Sequence, residues 1–219
     1  MKERYFQLTG RRLHEAYGLS EASSTTHMTP LTKPSPAGSI GIPLPGTDAR
    51  IVALEDPDRT LEPGEVGELA VRGPQVMSGY WQAPEGTEST ARLKDGWLFT
   101  GDLARMDADG YFFIVDRRDD MIITSGFNVY PSEIEAVLKG HPGVADAAVV
   151  GVPDKSRGVS IVARVVPREG ESLTDAQLLE HCRARLADYK VPRRVLIVAE
   201  IPKSPVGKPL RRELRNAAD

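Results

Sequence analysis

Five consecutive charged residues, Asp116-Arg117-Arg118-Asp119-Asp120, separate two stretches of this chain that follow different rules. Before them glycine and proline accumulate; after them apolar residues recur at helical and strand spacings. The run is too charged for a strand interior and too short for a disordered linker. It marks either a domain boundary or a hairpin end that faces water, and the sequence serves both equally well.

Twenty glycines and seventeen prolines are many for 219 residues, and they cluster at 30–46 and 57–86. The first part should therefore be loops and short strands rather than helices. Residues 5–16 read as a helix end and a strand, and 48–54 as a strand. Weak alternation over Val66–Gly73 predicts a strand with one half-buried face. Asp107-Ala108-Asp109-Gly110 is a turn joining Leu98–Met106 to Tyr111–Val115 as a hairpin, with Gly110 supplying the permissive backbone. Residues 36–115 then form a small all-β unit.

Past the charged run, Met121–Thr124 reads as a short strand. Pro131 opens a helix at its first turn, where a missing N–H costs nothing. Ile134, Val137 and Leu138 form its apolar stripe, and His141-Pro142-Gly143 ends it. Strands are expected over Val144–Val152, Ile161–Val166 and Arg194–Ala199. Thr174 with Gln177 three residues on is a capping box, leading a helix to Leu186. The fold class is α+β: a β-rich first part, then a compact domain with helices covering a small sheet.

Composition excludes more than it assigns. A formal net charge of -3 gives no general attraction to nucleic acid. The basic tail (Lys203, Lys208, Arg211, Arg212, Arg215) is more often a solvated helix face than a polyanion groove. A single cysteine, Cys182, at helical spacing from Leu178 and Leu186, forms no internal disulfide and fits a reducing compartment. No run of eighteen apolar residues occurs, and Met1–Gly10 is too polar for a signal peptide, so a cytoplasmic protein is expected. The histidines at 14, 27, 141 and 181 share no ligand spacing, and there is no GxxxxGK[ST], GxGxxG or HExxH.

Four stretches could carry chemistry. Ser20-Glu21 sets a hydroxyl beside a carboxylate, suited to a phosphate oxygen and a magnesium ion, although surface Ser–Glu pairs are common. Asp102, after the apolar approach Trp97-Leu98-Phe99, could accept ribose hydroxyls or be an ordinary turn aspartate. Gly126 allows close approach of a ligand, or only a turn. Lys208 lies in the mobile-looking loop PKSPVGK, where a lysine can reach a developing charge or simply face solvent.

In order, YGLSE (17–21), GELAVRGPQVMSGYW (67–81), GWLFTGD (96–102), DRRDDMIITSGFNVYPSEIE (116–135) and PKSPVGKPLRREL (202–214) resemble the C-terminal part of acyl-CoA synthetases of the adenylate-forming, AMP-binding superfamily. The resemblance covers essentially the whole chain. It implies ATP-dependent formation of an acyl-adenylate, then displacement of AMP by the thiol of coenzyme A, with a long- or medium-chain fatty acid as substrate. It also implies roles. Tyr17 packs against adenine, Ser20 meets phosphate, Glu21 helps hold Mg2+, Asp102 and Arg117 bind the ribose, Lys208 is the adenylation lysine, and Gly126 lines the pantetheine channel. Asp119 is the hinge between the half-reactions. Residues 1–35 correspond to a remnant of the large adenylation domain, 36–118 to a β-rich subdomain and 119–219 to the mobile C-terminal domain.

Departures accompany the resemblance. Ser20 stands where threonine is more usual, and Val159 where glutamate is frequent. No Ser/Thr/Gly-rich phosphate loop ending in Pro-Lys-Gly occurs, nor the body that forms an acyl pocket. Only sixteen residues precede Tyr17. The isolated chain is accordingly expected to be inactive, with a missing N-terminal domain or a homo-oligomer as its partner and residues 1–35 exposed or disordered. The competing expectation is a stand-alone module that binds nucleotide, coenzyme A or another protein without catalysis.

Overall fold

The computed structural model describes residues 2–82, 92–154, 158–205 and 207–216. The part of the Gly/Pro-rich stretch from 83 to 86, and Val206 of the lysine loop, lie outside the described residues. The chain forms two compact units, Met1–Arg118 and Asp119–Asp219.

The first unit runs α1 (Lys2–Thr9), β1 (Ala16–Tyr17), β2 (His27–Met28), β3 (Ile42–Pro43), β4 (Asp48–Val52), β5 (Gly67–Arg72), β6 (Leu93–Lys94), β7 (Trp97–Met106) and β8 (Phe112–Arg117). Strands β1, β2 and β3 form a small antiparallel sheet. The larger sheet has five strands in the order β4-β5-β7-β6, with β8 also paired to β7. The hairpin expected around Asp107–Gly110 is present, Gly110 taking φ 81°. Its second strand extends through Asp116 and Arg117, so the charged run begins inside a ladder, where Asp116 pairs with Leu103 and Arg117 with Asp102.

The alternation over Val66–Gly73 underestimates β5. Leu69, Ala70 and Val71 are all fully buried, because β5 lies between β4 and β7 and is covered on both faces. On one face Ile51, Leu69, Val71, Leu98, Ala104 and Phe112 pack together. On the other, Val52, Ala70 and Phe99 pack beside Trp97, whose ring centroid is 4.2 and 4.7 Å from the Arg50 and Arg72 guanidinium carbons. Residues 4–35 are also only partly exposed. Phe6, Leu8, Leu13 and Leu31 face solvent, yet Ala22, Thr26 and His27 are fully buried, His27 against the Phe112 ring at 4.7 Å.

The second unit runs β9 (Ile122–Thr124), β10 (Phe127–Val129), α2 (Pro131–Lys139), β11 (Val144–Asp154), β12 (Gly158–Pro167), α3 (Asp175–Arg183), β13 (Arg194–Ile197) and α4 (Arg211–Asn216). Strands β11 and β12 pair antiparallel, and β13 joins β12 in parallel. Alternation along β11 divides two apolar layers. Ala147 and Val149 meet Ile134 and Leu138 of α2 and Leu178 and Cys182 of α3. Ala148 and Val150 meet Ile201 and Leu214, the latter from α4. Helices thus cover both faces, which makes this unit an α+β sandwich.

Local signals explain the helices. Pro131 begins α2. The Thr174–Gln177 box caps α3, the Thr174 Oγ1 accepting from the Gln177 N–H and the Gln177 Oε1 from the Thr174 N–H. Helix α3 stops at Arg183, short of Leu186. The basic tail is not simply a solvated face: it forms α4, in which Leu214 is 2% exposed and the Arg211 side chain only 14%.

Candidate functional site

The segment after β1 folds back on itself because of Gly18. A Cβ there would lie 1.4 Å from the Ser24 carbonyl oxygen, so only glycine fits. The chain then makes one 3-10 turn, Ser20–Ala22, and passes through left-handed Ser23 (φ 48°). The Thr26 N–H donates to the Tyr17 carbonyl at 2.9 Å, and the Met77 N–H to the Glu21 carbonyl at 2.8 Å. This hydroxyl-rich loop is therefore bonded at both ends.

Tyr17, Asp102 and Arg117 come together. The Tyr17 hydroxyl donates to Asp102 Oδ2 at 2.5 Å, and Arg117 Nη1 lies 3.1 Å from Asp102 Oδ1. Burial, and then the Asp102 carboxylate, push the Tyr17 phenol up, which keeps it a neutral donor. Backbone geometry sets the carboxylate. Gly101 takes φ 73°, Thr100 Oγ1 donates to the Leu69 carbonyl and accepts from the Asp102 N–H, and Glu68 Oε1 accepts from the Gly101 N–H at 2.9 Å. Each Asp102 oxygen has one protein partner among these contacts. A carboxylate offers about four acceptor positions, so two further hydroxyl groups can be accommodated.

Ser20 and Glu21 lie on the 3-10 turn three residues after Tyr17. Ser20 is exposed. Glu21 Oε1 accepts from the Tyr80 hydroxyl at 2.5 Å, and that bond is the main reason its carboxyl is held below the usual carboxylate range. No cluster of three or more metal-ligating side chains exists among the described residues. A lone carboxylate still fits Mg2+, which takes one or two from protein and the rest from water and phosphate.

In the second unit, Ser125 (φ 50°) and Gly126 (φ 81°) form the two-residue turn of the β9–β10 hairpin, a conformation that requires a glycine-like residue. A Cβ on Gly126 would meet nothing within 4 Å, so its surface is open. Beside it, half-exposed Phe127 stacks on Tyr189 with ring centroids 4.4 Å apart. Lys208 is exposed, but its loop is pinned rather than loose. The Ser204 N–H donates to the Lys208 carbonyl at 2.8 Å, the Lys208 N–H to Ser204 Oγ at 3.2 Å, and the Leu210 N–H to the Pro202 carbonyl at 2.9 Å. Asp119 is exposed within the single turn Arg118–Asp120 and is the first residue of the second unit.

Sequence reasoning missed four contributors. Tyr80 gave no local signal. Glu68 gave one in retrospect, a carboxylate amid the buried apolar residues of β5. His27, fully buried between Tyr17 and Phe112, is pushed down to about 4 by burial and stays neutral. Arg211 was counted only as part of a basic cluster. A cavity of about 360 Å3, lined by Phe6, Arg12, Leu13, His14, Lys33 and neighbours, shares none of the residues above.

Comparison with known proteins adds an independent line. The AMP-binding enzyme family matches residues 1–81, and the AMP-binding enzyme C-terminal domain matches 133–208. The chain is 51% identical over 216 residues to a long-chain-fatty-acid–CoA ligase of Salmonella typhimurium, covering 99% of this chain and 38% of that protein. The Bacillus subtilis ligase of the same description is 46% identical over 214 residues, covering 98% of this chain and 38% of that protein. Among solved structures, ATP-bound MatB from Rhodopseudomonas palustris superposes with a TM-score of 0.89 at 35% identity, covering 98% of this chain and 42% of that one. The chain thus spans about two fifths of the length of the relatives it matches. No helix among the described residues is long and apolar enough to cross a membrane.

Proposed function

The chain belongs to the AMP-binding enzymes, and from that premise we propose that it forms the nucleotide-facing and C-terminal parts of an ATP-dependent fatty acyl-CoA ligase. Such an enzyme joins a fatty acid to AMP with release of pyrophosphate, then lets the thiol of coenzyme A displace AMP. The observation that carries the proposal is the Tyr17–Asp102–Arg117 cluster. It holds a carboxylate with spare acceptor positions beside a neutral phenol, as a ribose and an adenine require. The ATP-bound MatB structure, which shares this fold, supports the same assignment.

Each residue then has a physical task. Asp102 accepts the ribose hydroxyls, and Arg117, paired with that carboxylate, orients it and binds the ribose beside it. Tyr17, tied down by its hydroxyl, offers a ring face to the base. Ser20 donates to a phosphate oxygen. Glu21 supplies the protein's oxygen ligand to Mg2+, which would neutralise phosphate charge when bound. Lys208 stabilises negative charge at the reacting carboxylate and α-phosphate. Gly126, with no Cβ, admits the pantetheine arm to within backbone distance.

The acyl pocket and the triphosphate loop are supplied by adenylation-domain residues beyond those in this chain, whether joined to it or on a partner. In the notation of half-reactions, the unit carrying both Lys208 and Gly126 would present the first for adenylation and the second for thioester formation, turning at Asp119. The buried lone cysteine is consistent with a cytoplasmic setting.

Two measurements test this on the 219-residue chain. Saturation-transfer NMR with AMP should show contacts to base and ribose protons that Asp102→Asn abolishes; equal signals from both proteins would overturn the ribose assignment. ATP–pyrophosphate exchange with short, medium and long fatty acids should be absent. Exchange with any acid would refute the need for a separate phosphate loop.

A further inference from the structure

Resting on Asp119 as the hinge, we propose that Glu68 and Arg211 are positioning residues that confine the turning of the chain to Asp119 itself. The residue on each side of Asp119 is held by its own unit. Arg118 Nη1 donates to Glu68 Oε2 at 2.5 Å, and Glu68, only 4% exposed, is the same carboxylate that accepts the Gly101 N–H. Arg118 Nη2 also reaches the Leu54 carbonyl at 3.4 Å. The last residue of the first unit is therefore fastened to β5 and, through Glu68, to the part of β7 that sets Asp102.

On the other side, Asp120 Oδ2 lies 3.2 Å from Arg211 Nε, and Asp120 Oδ1 lies 3.6 Å from Arg215 Nη2. Arg215 Nη2 further donates to the Asp119 carbonyl at 3.3 Å. Arg211 is itself fixed, its Nη1 donating at 2.6 Å to both Glu135 Oε1 and the Val149 carbonyl, while Glu135 Oε1 accepts from the Val149 N–H at 2.8 Å. One guanidinium thus joins the residue after the hinge to α2 and β11, and it opens the helix that directly follows the Lys208 loop.

Burial distinguishes these contacts from ordinary surface pairs. Glu55–Arg59 and Asp58–Lys94 are more than 45% exposed on every side chain and are worth little. Glu68 and Glu135 are almost enclosed, and stripping a partner from an enclosed carboxylate leaves an uncompensated charge, so both clamps are anchored on a buried group even though Arg118 and Asp120 are themselves 47% and 26% exposed. The clamped residues are the two ends of a single 3-10 turn, Arg118–Asp120, a geometry whose hydrogen bonds are poor. The torsions that lie between the held Arg118 side chain and the held Asp119 carbonyl are ψ of Arg118 and those of Asp119.

The test is a distance distribution between spin labels in the full chain, at Asp109→Cys and Ser172→Cys, both exposed while the native Cys182 is buried. Asp119→Pro should narrow the distribution. Arg118→Gln and Asp120→Asn should each broaden it roughly twofold and speed amide exchange at 118–121 about tenfold. Arg118→Lys, which keeps a charge for Glu68, should restore a width near that of the parent. Unchanged widths in Arg118→Gln and Asp120→Asn, or equal widths for Arg118→Lys and Arg118→Gln, would overturn the clamps while the hinge stands. If Asp119→Pro leaves the distribution unaltered, the hinge assignment falls and the clamps with it. None of these readings depends on adenylation.

Discussion

The two units bury their polar chemistry differently. In the first, carboxylates and hydroxyls are threaded through the sheet: Glu68, Thr100, Asp102 and Asp116 are all less than 9% exposed. In the second, two apolar layers flank one sheet, and the candidate functional groups, Gly126 and Lys208, sit on turns at its surface. A binding surface that must hold a ribose in one place gains from buried, mutually bonded side chains. A unit that must present two faces in turn gains from a core indifferent to what its turns display. Stability and function are therefore coupled in the first unit and separable at the display turns of the second, whose buried Glu135–Arg211 pair behind Asp120 is the exception.

That contrast can be broken most directly in the second core. Leu138, fully buried between α2 and the sheet, should cost about 3 to 4 kcal/mol when truncated to alanine. Native-state hydrogen exchange should show the loss at β11 and β12 with protection in β5 and β7 unchanged. An equal fall in both units would mean that they unfold as one.

Acid should sort the units the other way. His27 is pushed down to about 4 by burial, against 6.5 when unfolded. Between those values the unfolded chain binds the extra proton, so stability falls as pH is lowered from 6.5 towards 4, by about 3 kcal/mol for this residue. Exchange protection in β2 and β8 should fall with it, and His27→Gln should flatten the slope. His181 in the second unit is also lowered, chiefly by burial, and acts in the same direction, but it is less enclosed. A steeper acid slope in the second unit would contradict the comparison.

What the sequence disclosed follows the same division. Helices α2 and α3 were legible because their signals are local: Pro131 at a first turn, Thr174 and Gln177 three apart, apolar residues repeating every three or four. The hairpin at Asp107–Gly110 was legible for the same reason. Glu68 was not, since its partners Gly101 and Arg118 lie 33 and 50 positions away and no local pattern encodes them. Tyr80 reaches Glu21 across 59 positions, and Arg211 reaches Glu135 across 76. The motifs YGLSE, FTGD and DRRDD marked where Tyr17, Asp102 and Arg117 stand, but only the pairing of β7 with β8 shows why Asp102 and Arg117 meet. Strand β10 escaped because it is short and owes its existence to tertiary packing, and α4 was read as a solvated helix face because nothing local shows that Leu214 is buried.

A smaller effect tests whether the second unit is built from such local pieces. Thr174→Ala removes an exposed cap at the start of α3, and should cost about 1 kcal/mol, read as lowered protection in that helix. Thr174→Ser should recover most of it. A loss near that of Leu138→Ala would place Thr174 in the core rather than at a helix end.

The smallest expected effect is the most informative about design. Lys208 is exposed, and its loop is held by backbone bonds and Ser204 Oγ rather than by its own amine. Lys208→Ala should therefore leave stability within about 0.5 kcal/mol of the parent. In a complete enzyme the same substitution should suppress adenylation far more than thioester formation from supplied acyl-adenylate, if Lys208 has the proposed role of stabilising charge in the first step alone. Asp102→Asn makes the opposite case, since it disturbs the Tyr17 and Arg117 contacts and should lower stability and nucleotide binding together. If Lys208→Ala instead destabilised the second unit as Asp102→Asn does the first, the separation of core from display would be false. The two units would then meet their functional demands in the same way.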